Sequence, residues 1–315
     1  MNANEPAPAV VVGIDGSTAS AAALRWGMRE AALHRLALRL VCGFAWPSRA
    51  LTYGLPPEAW ADEDLRRNAI KTMEELVGST AEFVPDVPVT GVVLDGAPAA
   101  VLIGESHRAA VVVLGTRGTG GFAGLRLGSV SHHVAMHASC PVVVVPADGD
   151  AVEHAAAPIA VGIDGSDTAS LAARFAFDEA ALRGVPVIAV RAWTPAAHVW
   201  PTGLPGLTDG AARERTERDL LTACLARWRR QHPRVHVELR ATAGHPAQSL
   251  VTAAQNAQLL VVGSRGLGGF RGLLLGSVSS AVLHHAVCPV AIVHPQHHAG
   301  PTLPESVGTS GDERA

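Results

Sequence analysis

Two stretches of the 315-residue chain carry residues suited to holding phosphate. Gly115, Arg117, Gly118, Gly128 and Ser129 stand in the spacing G-x2-G-x9-G-S, with Val130 and Ser131 following. Gly263, Arg265, Gly266, Gly276 and Ser277 repeat it, with Val278 and Ser279 following. Glycine lets an anion approach the backbone, and successive N–H groups in such a loop form a nest for it. Ser129 and Ser277 precede helix-like stretches and fit the N-cap, where a helix offers unpaired N–H groups and the positive end of its dipole. Arg117 and Arg265 each add a guanidinium able to reach phosphate oxygens. Leaving Gly118 and Gly266 without side chains is expected to keep the phosphate space open. One such cluster alone is equally well explained as a flexible surface turn. Two copies with the same spacing, each after a strand-like run and before a helix-like one, favour the cradle.

The rest of the chain repeats as well. Val11-Val12-Gly13-Ile14-Asp15-Gly16-Ser17 returns as Ala160-Val161-Gly162-Ile163-Asp164-Gly165-Ser166, and His137, Cys140, Pro141 and Val142 return as His285, Cys288, Pro289 and Val290. Asp164 follows Asp15 by 149 residues, and Gly263 follows Gly115 by 148. That period suits whole domains rather than solenoid units. The expected organisation is one domain over 1–148, a second over 157–296, and a polar, disordered tail over 297–315.

The elements that must position these residues alternate. Apolar, β-branched runs at 10–14, 38–44, 87–94, 110–114 and 142–145 predict strands in the first half, and 159–163, 186–192, 235–241, 259–262 and 290–293 predict them in the second. Helical patterns cover 17–33, 166–182 and 211–230. Alternation of this kind gives right-handed crossovers and a parallel sheet covered by helices. Asp15 and Gly115 then both follow strand ends; if the first and fourth strands are neighbours, they flank the crevice where open α/β sheets bind ligands. Asp15 and Asp164 have two readings, ligand contact or helix capping shared with Ser17 and Ser166.

The strand-to-aspartate start, the glycine signature and the Cys-Pro-Val close of each half resemble the universal stress protein family over nearly residues 8 to 295. The resemblance implies an α/β fold of two tandem domains, each an open five-stranded parallel sheet with helices on both faces, Rossmann-like and similar to the adenine nucleotide alpha hydrolases. It implies domains of the ATP-binding type, with ATP as cofactor, with or without Mg. By position, Asp15 and Asp164 would lie beside the adenosine, and Gly13 and Gly162 on the pocket floor. The backbone near Ala45 and Ala192, at the end of strand two, would meet adenine. Gly118, Gly128, Ser129, Val130 and Ser131 would hold phosphates, as would Gly266, Gly276, Ser277, Val278 and Ser279. Such domains pair through the last strand, which here implies a pseudo-twofold pair of 142–145 with 290–293 and, beyond it, a homodimer.

Other chemistry is excluded or disfavoured. There is no GxxxxGK[ST] and no GxGxxG opening the first helix. No base–nucleophile or paired-carboxylate constellation repeats beside the loops, so ATP turnover is expected to be slow or absent. His132-His133, His284-His285 and His297-His298 lack a metal-ligand spacing and suit exposed or helix-terminal positions. A net charge of −3 gives no sign of nucleic acid as partner. Four cysteines without a CxxC suit reduced thiols. With no secretory leader pattern and no apolar run near the ~20 residues of a membrane span, a cytoplasmic protein is expected. The leading expectation is an ATP-binding regulatory or signalling protein of stress or dormancy adaptation. The alternatives are a slow ATP hydrolase or adenylyl-transferring enzyme, and an interaction module with a structural nucleotide.

Overall fold

The structure, a computed structural model, describes residues 8–45, 61–118, 127–148, 156–194, 210–268 and 275–295. The aromatic, Pro-rich stretches 53–60 and 193–200, which follow the second strand of each half, lie almost wholly outside these residues, and the polar tail 297–315 lies wholly outside them. The first half runs β1 Ala9–Gly13, α1 Thr18–His34, β2 Ala37–Phe44, α2 Ala61–Phe83, β3 Val89–Asp95, α3 Pro98–Ser106, β4 Ala109–Gly115, α4 Ser129–His137 and β5 Val142–Val145. The second runs β6 Ile159–Gly162, α5 Asp167–Arg183, β7 Val187–Trp193, α6 Gly210–Gln231, β8 Val237–Ala243, α7 Pro246–Ala254, β9 Leu259–Gly263, α8 Ser277–His285 and β10 Val290–Val293.

The strands form one ten-stranded sheet in the order β3-β2-β1-β4-β5-β10-β9-β6-β7-β8. Within each half every pairing is parallel, and β1 lies between β2 and β4 as β6 lies between β7 and β9. Each half is therefore the five-stranded parallel α/β unit that the alternation and the resemblance predict. At the centre β5 and β10 run antiparallel, with Val144 opposite Val290 and Val142 opposite Ile292. Strands β1 and β6 therefore run in opposite directions, and the strand ends that lead to Asp15 and Asp164 lie at opposite ends of the strands.

Burial explains the strand composition. Val142, Val143, Val144 and Val145 are at most 1% exposed, because helices cover both faces. One face carries α1, α2, α5 and α6, packed on Val10, Val143, Ala291 and Val161; the other carries α3, α4, α7 and α8, packed on Val112, Val144, Ile292 and Leu260. Both cores run unbroken across the β5–β10 seam. In α6 the stripe Glu217, Leu221, Leu225 and Trp228 turns inward at helical spacing, and the buried Glu217 is answered by Arg191 of β7 at 2.6 Å. Helices α1 and α5 start on Ser17 and Ser166, whose side chains accept from the amides of Ser20 and Ala169. They end on left-handed residues, Arg35 in one and Gly184 in the other.

Candidate functional site

Beyond the carboxyl ends of the strands each half opens a cleft of about 450 Å³. The floor of the first is Gly13 and Leu114, with Leu102 of α3 behind them; Gly162, Val262 and Leu250 of α7 take these places in the second. Gly13 is glycine because a Cβ there would sit 2.5 Å from the Leu114 side chain. One wall is the end of the second strand, Val41 to Gly43 or Val190 and Ala192, facing Pro98 or Pro246 at the start of α3 or α7. The opposite wall is the glycine-rich loop and the first turn of α4 or α8.

That first turn is built to stay open. The N-cap is Gly128 in α4 and Gly276 in α8, both extended, and neither has a side chain to cap the helix. The first helical bonds run from His132 N–H to Gly128 and from Ser280 N–H to Gly276. The amides of Ser129, Val130 and Ser131, and of Ser277, Val278 and Ser279, therefore precede any intrahelical partner. This corrects the expected placement of Ser129 and Ser277: they are the first helical residues, not the N-caps. Ser131 and Ser279 also differ in detail from simple phosphate holders, since their hydroxyls donate to the carbonyls of Gly115 and Gly263 at 2.6 Å. Ser279→Ala should cost about 1–3 kcal/mol, the toll of a buried acceptor losing its donor; the urea midpoint of unfolding measures it.

Short contacts hold the loop in place. Gly128 N–H reaches the Thr116 carbonyl at 2.6 Å, and Gly276 N–H reaches Ser264 at 2.7 Å, closing each loop at its base. The backbone carbonyl of Arg117 accepts from the Ser17 hydroxyl, and that of Arg265 from Thr168. Arg117 and Arg265 are exposed and line their clefts. Asp164 does two things at once: Oδ1 takes the Ser166 amide at 2.9 Å, and Oδ2 takes the Leu267 amide at 2.9 Å. Asp15 accepts the Ser17 amide at 3.0 Å. Helix capping falls to Ser17 and Ser166, so the aspartates shape the turn and the loop while lining the cleft. A Cβ on Gly266 would meet Asp164 Oδ2 at 2.5 Å, and one on Gly118 would collide with Asp15 Oδ2. The space kept free at these glycines thus belongs first to the aspartate and only behind it to a ligand.

Of the residues expected at the site, Ala45 alone does not line a cleft. In the sheet Gly13 stands beside Val41, and Gly162 beside Val190, so the counterpart of Ala192 is Gly43. Ala45 lies two residues further, past the end of β2. The cue was present in the match of Phe44 to Trp193. Pro98 and Pro246 were also missed, although Gly96-Ala97-Pro98 returns as Gly244-His245-Pro246 at the same period. At the position of Arg191 the first half has Cys42, which lines its cleft. Burial, then the charge of Asp15, pushes the Cys42 thiol up. Burial pushes Cys140 and Cys288 up to about 12, so these thiols stay protonated and unreactive.

The chain matches other proteins over both halves. The universal stress protein family profile matches residues 8–146 and again 156–294. A universal stress protein of Mycobacterium tuberculosis is 40% identical over 297 residues, covering 90% of this chain and 96% of its own. One of Mycolicibacterium smegmatis is 37% identical over 292 residues, covering 91% and 97%. The solved structure of a universal stress protein from Archaeoglobus fulgidus shares the fold, with a TM-score of 0.65 at 19% identity over 91% of this chain and 98% of that one. With both halves matched and relatives aligned nearly end to end, the chain belongs to the universal stress protein family.

Proposed function

We propose that each half binds one ATP and that occupancy, rather than chemistry, is what the protein contributes to a regulatory or signalling role in stress adaptation. The carrying observation is the pair of helices α4 and α8, which begin on bare glycine and whose first three amides, without an intrahelical acceptor, belong to residues lining a cleft of nucleotide size. The phosphates lie against those amides and the loop, with Arg117 or Arg265 at the rim. Adenosine extends past Asp15 or Asp164 to the strand end at Gly43 or Ala192. Magnesium, when present, accompanies the phosphates. The test is chromatography of nucleotide released from purified protein, with calorimetry of ATP on the stripped chain. Two equivalents of ATP per chain are expected; no adenine nucleotide released and no heat of ATP binding would refute the reading.

Turnover is expected to be negligible. Among the described residues lining the clefts, Asp15 and Asp164 are the only carboxylates and no histidine faces either cavity. Asp15 already accepts the Ser17 N–H, and Asp164 those of Ser166 and Leu267. A general base would need a proton acceptor positioned on water as well as charge neutralisation at the γ-phosphate. Multiple-turnover phosphate release checks this, and robust release lost in Asp15→Asn or Asp164→Asn would make the enzyme reading the better one.

The antiparallel β5–β10 ladder supports a further part of the proposal: the halves act as a pseudo-twofold pair within one chain. A protease site placed in 149–155 allows the chain to be cut between them. The cut wild type should elute as one species, whereas Val144→Pro with Ile292→Pro, which removes ladder donors, should release separate halves. Separation of the cut wild type would end this part of the reading.

A further inference from the structure

A second polar cluster lies away from both clefts, where α1 of the first half meets α5 of the second. Glu30 and His34 stand one helical turn apart on α1; Glu179 and Arg183 occupy the equivalent positions on α5. Both glutamate side chains are 3% exposed. Their oxygens divide the work. The Oε2 atoms of Glu30 and Glu179 face the Arg183 guanidinium, at 2.6 Å for Glu30. The Oε1 atoms turn the other way, onto His34 Nε2, at 3.2 Å from Glu30 and 2.9 Å from Glu179. Three lone-pair donors therefore converge, all within 4.8 Å of one another. The repeat makes the arrangement legible: the equivalent positions 34 and 183 hold a ligand-type imidazole in one half and a permanent cation in the other.

We propose that Glu30, His34 and Glu179 form a binding site for a divalent zinc-type cation that clips the two halves together. Two carboxylate oxygens and one imidazole nitrogen are a borderline-hard donor set of the kind zinc takes, with bonds of about 2.0–2.2 Å. Donors around a tetrahedral ion at that distance lie about 3.3–3.5 Å apart, so the two spacings to His34, 3.2 and 2.9 Å, need only small side-chain shifts. Arg183 is the outer partner that orients both carboxylates and leaves one oxygen of each for the ion. It neutralises one of the two negative charges, and the second is left for a cation or for a proton on His34. His34, with 26% of its side chain exposed, keeps a route from solvent. Neither half holds the set alone. The E-x3-H pair on α1 lacks its third ligand until α5 is in place, which is why no spacing within the sequence announces the site.

The experiment titrates the full-length chain with zinc against a chromophoric chelator, at a pH where imidazoles are neutral. One zinc per chain is expected at the tightest site. His34→Gln and Glu179→Gln should each remove that equivalent while far-UV circular dichroism shows the fold retained, and Arg183→Met should weaken it about 10–100-fold. Changing His132 and His284 should leave it in place. X-ray absorption of the one-zinc wild type should show oxygen and nitrogen neighbours with a single imidazole, a readout that survives even if a variant fails to fold. Equal uptake by wild type and His34→Gln, or two or more imidazoles around the ion, would overturn the proposal and leave a proton-bridged ion-pair cluster in its place.

Discussion

Gly115→Ala should strip several degrees from the unfolding midpoint, and Gly115→Val should prevent the first half from folding. The cause is the crossing of α1 over β4. A Cβ at 115 would lie 2.5 Å from the backbone carbonyl carbon of Ala19, an atom that cannot turn aside like a side-chain tip. Overpacking of this kind costs about 1–3 kcal/mol where neighbours can adjust, and a branched side chain against helix backbone costs more. Gly263 carries the same constraint in the second half, with Thr168 backbone at 2.8 Å. Gly78 in α2 supplies the contrast. Nothing lies within 4 Å of its would-be Cβ, so Gly78→Ala should stabilise by about 0.5–1 kcal/mol through helix propensity alone. Thermal unfolding followed by circular dichroism separates the two, and a tolerated Gly115→Val would show that the helix crossing is looser than described.

The second large effect concerns ligand affinity. Gly118→Ala should weaken ATP at the first site, and Gly266→Ala at the second, each about 10–100-fold, equivalent to losing a charge-assisted hydrogen bond of about 1.5–3 kcal/mol. The methyl group displaces the Asp15 or Asp164 carboxylate, and in the second half this also breaks the bond from Leu267 N–H that seats the loop. Each substitution should act on its own site, so calorimetry of a single variant should resolve one normal and one weakened site. Gly118→Ala with Gly266→Ala should weaken both. Two unchanged sites in the double variant would remove the aspartate-and-loop account of the cradle.

How much of this was legible beforehand varies with the kind of signal. Strand positions were readable to within a residue or two, because both-face burial imposes runs such as Val142–Val145 that few other contexts demand. The glycines were readable because their spacing survives in two copies. The N-cap was misplaced because the usual preference for serine assumes a helix that caps itself. Gly128 and Gly276 break that preference, and their lack of a side chain is the clue to the site. Ala45 is two residues off because register is a property of neighbouring strands, not of one segment read alone. Helices α2, α3 and α7 lie outside the helical patterns read from the sequence; for α3 and α7 nine residues each is short for a periodic pattern, and their Pro at N1 marks a helix start only once the preceding strand end is fixed.

The opposed directions of β1 and β6 bear on how the two sites fill. Five strand spacings separate these strands, about 24 Å across the sheet, before the offset between the opposite strand ends is added. At physiological salt the screening length is about 8 Å. A polyphosphate in one cleft is therefore nearly invisible, electrostatically, to one arriving at the other. Among the described residues the two clefts have no lining residue in common. Each site should then fill along its own simple hyperbola, with no cooperativity between the two. Any difference between the two dissociation constants would express local chemistry, such as the Cys42 thiol that lines the first cleft alone. A chain whose two sites differ in affinity would report nucleotide concentration in graded steps over a wider range than a symmetric dimer of either half.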